Sequence, residues 1–162
     1  MEYHKITKTI TQLLETNHCW FETFEHESVK TSEEASRVRP GYTLHQGAKA
    51  LIIRVKNADN NKRYVMVVMP ADKRFDNDKV KKLLQAKDIR FAFPDEIATL
   101  TEGIQVGGVP PFGNLFGIEV IADPSLFENE KIVFNAGDRR FSVAMKAENY
   151  KVLVKPIVET II

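Results

Sequence analysis

The sequence predicts an α+β domain in which a mixed central β-sheet is surrounded by helices. The chain has 162 residues, the usual length of one domain, and 43% of them are hydrophobic while 28% are charged. Segments with the periodicity of strands alternate irregularly with helical segments, without regular strand-helix-strand units. We therefore expect a single domain over residues 1–162.

A helix, a strand and a second helix are expected in the first quarter of the chain. The helix covers about residues 3–15, where apolar side chains recur at steps of three and four. The strand covers residues 20–26, where large apolar and polar side chains alternate. Thr31 and Glu34 have the spacing of a capped helix start, and Pro40-Gly41 ends that short helix.

The middle of the chain predicts a hairpin followed by a helix. Residues 48–55 and 64–69 are rich in branched apolar residues, and the turn-prone sequence NADNN separates them. Asp76 or Asn77 can cap the next helix, which continues to Leu84. Four lysines occupy its polar positions and are expected to face water: Lys79, Lys81, Lys82 and Lys87.

Shorter elements are expected around an irregular segment in the second half. A strand at 89–93 leads into a helix that Pro94 begins and that ends at 99–102. Residues 103–117 hold five glycines and two prolines among apolar residues, so we expect burial without regular structure. The remaining elements are three short strands, at 118–121, 132–135 and 141–144, and a helix from about Ala147.

Charge and cysteine content bear on the class of protein. The formal net charge is +1, so any contact with nucleic acid must be local. A lone cysteine, Cys19, excludes an internal disulfide and a thiolate-rich zinc site, and its context does not indicate a nucleophile. With no apolar targeting run, we expect a cytoplasmic protein without a membrane partner. We expect no metal, because no two histidines have the spacing of a zinc-binding helix: His4, His18, His26 and His45.

Three segments carry candidate functional residues, and each also has an ordinary structural interpretation. The sequence GGVPPFG at 107–113 suits a stiff loop whose backbone approaches a ligand, or a buried turn. It lacks the residues of a phosphate loop. Lys49 is the only charge in the apolar run 47–53, so it has a function or points outward from the strand. Residues 135–140, NAGDRR, form a hairpin turn or present arginines to phosphate.

Taken together, these segments resemble the YbaK and prolyl-tRNA synthetase associated domain family. The resemblance is carried, in order, by EEA at 33–35, GAKAL at 47–51, GGVPPFG at 107–113 and FNAG at 134–137, and it spans nearly the whole chain. It implies a YbaK-like fold and an aminoacyl-tRNA deacylase that removes wrongly attached amino acids in trans. The expected partner is the acceptor end of aminoacyl-tRNA, with transient contact to a synthetase and no DNA.

The resemblance also assigns roles to residues. Lys49 is implied as the catalytic residue that binds the terminal adenosine, and no metal or organic cofactor is implied. The implied substrate-binding residues are Gly107, Gly108, Val109, Pro110, Pro111, Asn135, Gly137 and Asp138. Alanine-clearing members often carry Asn beside the lysine and His in the last strand region, whereas this chain has Ala50 and Asp138, so the amino acid removed stays open.

Two alternatives to catalysis remain open. The sequence offers no obvious nucleophile with a paired base, which is compatible with a module that only binds aminoacyl-tRNA, a nucleotide or a synthetase. If the protein is an enzyme, the same observation favours positioning of water over covalent attack. A regulatory protein is the third possibility, with Phe112, Leu115 and Phe116 as an exposed docking patch.

Overall fold

Two β-sheets and four α-helices make up the part of the chain that the structure, a computed structural model, describes: residues 2–28, 31, 34 and 37–162. In chain order the elements are α1 (Lys5–Thr16), β1 (Phe21–Glu25), β2 (Ala48–Asn57), β3 (Lys62–Pro70), α2 (Asn77–Leu84), β4 (Ala86–Phe91), α3 (Pro94–Thr101), β5 (Glu119–Ala122), β6 (Lys131–Asp138), β7 (Phe141–Lys146), α4 (Ala147–Val154) and β8 (Ile157–Val158). Short 3₁₀ turns occur at Leu44–Gln46, Gly113–Phe116 and Pro124–Glu128.

The larger sheet is mixed, and its strands lie in the order β4-β2-β3-β5-β8. Strand β2 pairs antiparallel with both β4 and β3, while β5 pairs parallel with both β3 and β8. A separate antiparallel sheet has the order β1-β7-β6. A single bridge between Gly47 and Val133 connects the two sheets just before β2 begins. The start of β2 is therefore the place where the two sheets meet.

Both faces of the mixed sheet are buried. On one face, Ile52 and Met66 pack into a core shared with α1 and the three-stranded sheet. On the other face, Ile53 and Val67 pack against α2 and against Ile161. Because neighbouring residues of a strand point to opposite faces, β2 and β3 need apolar residues at nearly every position. The continuous apolar runs of the hairpin sequence have this origin.

The hairpin and the Asp76 helix cap are confirmed. Residues 48–56 of β2 pair antiparallel with residues 62–70 of β3. The Asp76 carboxylate accepts from the amides of Asp78 and Lys79 at 2.9 and 3.1 Å, as a helix cap does. The helix expected after Thr31 lies largely outside the described residues, but the Thr31 hydroxyl accepts from the Glu34 amide at 3.1 Å.

Other expectations are wrong or incomplete. Lys87 is not on the helix with the other lysines, because Gln85 adopts a left-handed φ of 51°, ends α2 and lets β4 begin at Ala86. Strand β4 also ends earlier than expected, at Phe91 instead of residue 93. The predicted α+β fold with a mixed β-sheet is confirmed, but the separate three-stranded sheet and β8 were not predicted.

The exposed docking patch proposed around Phe112 is also wrong. Phe112 is 0% exposed, and its ring packs against Phe134 and Tyr150 with centroids 5.6 and 5.5 Å apart. Leu115 and Phe116 are partly buried against the same core. The segment is therefore an internal wall of the fold. Separately, none of the helices in the described ranges has the length and apolar character needed to cross a membrane.

Candidate functional site

A cavity of about 410 Å³ lies along an open edge of strand β2. Strand β4 pairs with β2 only from Ile53 onward, so the first residues of β2 have β3 on one side and no described strand on the other. The Ile52 carbonyl accepts from the Ala92 amide at 2.9 Å on this open side. Because backbone groups alternate in direction along a strand, the amide and carbonyl of Ala50 point to the same side of β2 as the Ile52 carbonyl, which is the open side. The volume suits a small ligand.

The cavity wall is mostly apolar and carries positive charge. Five described lining residues have polar side chains: Thr31, Thr43, Asn135, Arg39 and Lys49. Two of these are cations, and no Asp or Glu is among the described residues that line the cavity. Such a wall favours a ligand that combines apolar surface with negative charge.

Lys49 lines this cavity from the second position of β2, opposite Met69 of β3. Its side chain is half-buried, and its ammonium group donates to the backbone carbonyl of Lys73, in the turn after β3. Lys49 therefore borders the cavity, and its function there stays a prediction.

Gly107 and Val109 bring the glycine-proline loop to the wall of the same cavity. Gly107 has a φ of +90°, a conformation that favours glycine, and since it has no side chain its backbone itself borders the cavity. A Cβ atom at this position would lie 3.0 Å from Nε of Arg139, which donates to the Val106 carbonyl at 2.6 Å. The loop is therefore braced by the β6–β7 turn.

The rest of the loop is held from behind. The Gly108 carbonyl accepts from the Gly137 amide at 2.8 Å, and the buried Tyr150 hydroxyl donates to the Pro111 carbonyl at 2.6 Å. Gly108, Pro110 and Pro111 are buried and do not line the cavity. These contacts fix the loop without occupying its cavity-facing side, so its backbone groups are in place before a ligand arrives.

Asn135 and Arg39 connect the loop to the small sheet. The Asn135 amide nitrogen donates to the Gly107 carbonyl at 2.7 Å, while its oxygen accepts from Nη2 of Arg39 at 2.8 Å. Arg39 is only 6% exposed, and its Nε donates to the Ser142 hydroxyl at 2.9 Å. Burial lowers the pKa of Arg39 to about 10, which leaves it charged at neutral pH. A buried cation with neutral oxygen partners therefore stands behind Asn135.

His26 extends this network to the end of β1. Its Nδ1 lies 2.8 Å from the carbonyl of Glu27, which can only accept, so Nδ1 carries a proton. Its Nε2 lies 2.7 Å from the Ser142 hydroxyl, which also lies 3.2 Å from the side-chain oxygen of Asn135. The hydroxyl in turn accepts from Arg39, so the chain of hydrogen bonds runs continuously from His26 to Gly107.

Gly137 and Asp138 have contacts away from the cavity. Gly137 has a φ of +97°, and a Cβ atom there would lie 2.3 Å from Cγ2 of Ile6 in α1. The Asp138 carboxylate accepts from Nε and Nη2 of Arg140 at 2.8 and 2.6 Å. The Arg140 guanidinium holds the pKa of this carboxyl below its usual value. The two turn arginines thus contact protein groups in this structure.

The structure brings together four of the nine residues assigned to the site: Lys49, Gly107, Val109 and Asn135 line one cavity. The other five, Gly108, Pro110, Pro111, Gly137 and Asp138, are not among its lining residues. Sequence reasoning missed Arg39, Ser142 and Phe91. Arg39 gave no local signal, because its partners are 96 and 103 residues away in the chain.

No nucleophile with a paired base is among the described residues that line the cavity. Ser142 and His26 are a hydroxyl and a base 2.7 Å apart, but Ser142 is 0% exposed and neither residue lines the cavity. Cys19 is half-buried and does not line the cavity. Within the same described ranges, no group of three or more His, Cys, Asp or Glu side chains could hold a metal ion. The arrangement can bind an anionic ligand and present backbone groups to it. A site with these properties can orient reactants without forming a covalent bond to them.

The chain is similar to proteins that act on aminoacyl-tRNA. Residues 26–153 match the family model described as aminoacyl-tRNA editing domain. A multifunctional Ser/Thr-tRNA deacylase, ProXp-y, of Escherichia coli (strain K12) is 35% identical over 137 residues, which cover 84% of this chain and 80% of that protein. A proline–tRNA ligase of Bacillus licheniformis is 38% identical over 96 residues, covering 59% of this chain and 16% of the ligase.

The fold has a solved counterpart. The crystal structure of a protein proposed as a trans-editing enzyme for prolyl tRNA synthetase superposes with a TM-score of 0.81 at 21% identity, covering 99% of this chain and 98% of the other. At that identity the likeness shows the fold alone. Together with the family model and the Escherichia coli relative, it confirms the resemblance seen in the motifs: the chain belongs to the aminoacyl-tRNA editing domain family.

Proposed function

We propose that this protein is an aminoacyl-tRNA deacylase that hydrolyses the ester of mischarged tRNA in trans. Membership of the editing domain family supports the reaction class. The observation that carries the proposal is that Lys49 and the backbone of Gly107 border the same cavity, which has no carboxylate among its described lining residues. A cation beside a rigid backbone wall suits an ester linked to a nucleotide phosphate.

The reaction requires a water molecule that attacks the ester carbonyl and a group that stabilises the oxyanion formed. The backbone amides of Gly107 and Val109, at the cavity wall, are the donors we propose for the second need. Lys49 binds the terminal nucleotide through its phosphate and so fixes the distance between the ester and the loop. The free hydroxyl of the terminal ribose lies beside the ester in the substrate and orients the water.

The substrate amino acids we propose are serine and threonine. The relative in Escherichia coli is named for deacylation of these two esters. Thr31 and Thr43 line the cavity of this chain, and their hydroxyls can exchange hydrogen bonds with the hydroxyl of either side chain. A cavity that forms a hydrogen bond with a substrate hydroxyl discriminates against alanine, because alanine has no hydroxyl and leaves the threonine hydroxyls of the cavity without that partner.

The physiological partners follow from the same reaction. The acceptor end of aminoacyl-tRNA is the part of the molecule that enters the cavity, and translation places the protein in the cytoplasm. The similar segment inside a proline–tRNA ligase supports transient contact of this protein with a synthetase that releases mischarged tRNA.

A deacylation screen tests the proposal. Seryl, threonyl, alanyl and cysteinyl esters on several tRNAs would be incubated with the protein, with Lys49→Ala as the variant and Lys56→Ala, at the other end of β2, as the matched control. We expect hydrolysis of seryl and threonyl esters, loss of it in Lys49→Ala and retention in Lys56→Ala. Binding without turnover across the panel would identify a binding module and overturn the proposal. Full activity of a folded Lys49→Ala variant would remove Lys49 from the site.

A further inference from the structure

Exposed aromatic rings stand at the mouth of the cavity on the β4 side. Phe91 lines the cavity and is 58% exposed, and Phe93 is 54% exposed. Between them Ala92 is buried and its amide is bound to the Ile52 carbonyl, so this short extended segment is anchored to the edge of β2. Phe112 and Phe134 are completely or almost completely buried in the same fold. Two exposed rings side by side at the cavity mouth, which we call the rim, therefore indicate a binding surface.

Both rings are held in position by neighbours. The ring of Phe75 packs edge-on against Phe91, with centroids 5.7 Å apart. The guanidinium of Arg90 lies 4.0 Å from the centroid of Phe93, and Arg90 forms two hydrogen bonds with Glu96 at 2.7 and 3.2 Å. A ring fixed before binding loses less conformational entropy when a ligand stacks on it.

Positive charge adjoins the Phe91 ring. Lys73 and Arg74 are exposed in the turn that ends at Phe75, and the Lys73 carbonyl accepts from Lys49 of the cavity. Asp72, in the same turn, is hydrogen-bonded to the His45 ring at 3.0 Å. Of the acidic residues on β4 and α3, Asp88 pairs with Arg54 and Glu96 with Arg90, while Asp95 lies in the first turn of α3.

We propose that Phe91, with Lys73 and Arg74 beside it, binds the unpaired nucleotide that precedes the aminoacylated nucleotide of the substrate. This inference rests on the proposed function, because the aminoacylated nucleotide must occupy the cavity for its neighbour to reach the rim. Proteins bind single-stranded nucleic acid by stacking bases on aromatic rings and placing cations along the backbone, and the rim supplies both. An apolar partner protein would not account for the two cations.

Two substrates that differ by the preceding nucleotides separate this surface from the cavity. One is the threonyl ester of adenosine 5′-monophosphate, and the other is the same ester at the end of a short single-stranded oligonucleotide. We expect Phe91→Ala to lower the ratio of kcat/KM values, oligonucleotide over mononucleotide, on the order of tenfold. Phe91→Leu keeps apolar bulk without a ring, so its ratio of kcat/KM values should stay close to that of Phe91→Ala. The matched control is Trp20→Ala, since Trp20 is 37% exposed beneath Lys131 and does not line the cavity.

Binding of the uncharged oligonucleotide, measured by fluorescence anisotropy, tests the surface without catalysis. We expect Phe91→Ala to weaken it by about tenfold, and Arg74→Ser to reduce the slope of log affinity against log salt by about 0.7. Lys62→Ser, at the far end of β3, should leave that slope unchanged. If the protein hydrolyses no ester but Phe91→Ala still weakens binding, the proposed function fails while the nucleotide surface stands.

Two results would overturn the nucleotide surface. An equal loss on both substrates in Phe91→Ala would make Phe91 a wall of the cavity only. Unchanged oligonucleotide binding, together with self-association that Phe91→Ala abolishes in sedimentation experiments, would make the rim a contact between copies of this chain.

Discussion

The side-chain amide of Asn135 donates to the carbonyl oxygen of Gly107 over 2.7 Å and so ties strand β6 to the loop that borders the cavity. The carbonyl oxygen of the same side chain accepts from the buried Arg39 at 2.8 Å. Arg39 thus orients the Asn135 side chain, and Asn135 in turn fixes the position of the Gly107 carbonyl. The direction of the backbone groups at Gly107 depends on a residue 28 positions later in the chain.

Replacement of Asn135 by alanine tests this dependence. We expect Asn135→Ala to lower kcat for deacylation by roughly tenfold to a hundredfold, because a misplaced loop no longer stabilises the oxyanion in the right place. Initial rates with a threonyl ester, together with urea unfolding, would measure activity and stability separately.

Asn129→Ala is the matched control for this change. Its amide also donates to backbone carbonyls, of His45 and Leu126 at 3.1 and 3.2 Å, but Asn129 does not line the cavity. We expect Asn129→Ala to lower the free energy of unfolding by about 1 kcal/mol and to change kcat little. An equal fall in kcat for the two variants would show that the Asn135 effect is general destabilisation.

Local signals explain what the sequence could predict. The β2–β3 hairpin is encoded by two apolar runs around a turn, and the Asp76 cap by a residue that precedes its own helix. The site could be located in part because Lys49 and Gly107 carry their own signals, a charge in an apolar run and a glycine beside prolines. Each of these is readable within a window of about ten residues.

The supporting residues could not be predicted, for a physical reason. Arg39 and Ser142 contribute through contacts between segments that the fold brings together, and neither has a distinctive neighbourhood in the chain. The exposure of Phe91 was equally hidden, since an alternating strand pattern predicts burial of its ring together with Ile89. Its exposure follows from the place where β4 ends, at the rim of the cavity.

Gly137 tests the packing of α1 against the small sheet. Gly137→Ala should destabilise the protein by more than about 2 kcal/mol, because the new methyl group would collide with Ile6 in addition to the strain of its positive φ. Gly117→Ala is the control for strain alone, since Gly117 has a φ of +70° and no atom within 4 Å of an added Cβ.

Urea unfolding of both glycine variants would measure the difference. The double variant Gly137→Ala with Ile6→Ala should lose less stability than the sum of the two single changes, because the Ile6 side chain is the obstacle. Equal losses for Gly117→Ala and Gly137→Ala would disprove the steric explanation.

Cys19 distinguishes positioning from covalent catalysis. The thiol is half-buried, lies 3.8 Å from the Asn17 carbonyl and is not among the residues that line the cavity. We expect Cys19→Ala to keep kcat within about twofold, and a thiol-alkylating reagent to have no effect on the initial rate. Trapping of an acyl-enzyme on Cys19, or loss of activity with the thiol, would require a nucleophilic mechanism instead.

Glu96 links acid stability to the segment that carries the aromatic rim. Its carboxylate accepts from Arg90, from the Tyr64 hydroxyl and from the Phe93 amide at 2.8 Å. The hydrogen bonds with Arg90 and then Tyr64 lower the pKa of Glu96 from 4.5 to about 2. A carboxyl whose folded pKa is lowered stabilises the fold fully above its unfolded pKa and loses that contribution as pH falls.

The window for this effect is therefore pH 4.5 to about 2. Glu96→Gln should be less stable than the parent protein at pH 7, and the gap in free energy of unfolding should close across that window, because the parent then protonates Glu96. Glu119→Gln is the control, since Glu119 pairs with Arg63 at 3.3 Å with both side chains more than 40% exposed, and its gap should be small at every pH. Urea unfolding from pH 7 to pH 2.5 would measure both gaps. A Glu96→Gln gap that stays constant with pH would show that lost packing, and not the ionised carboxylate, accounts for the destabilisation.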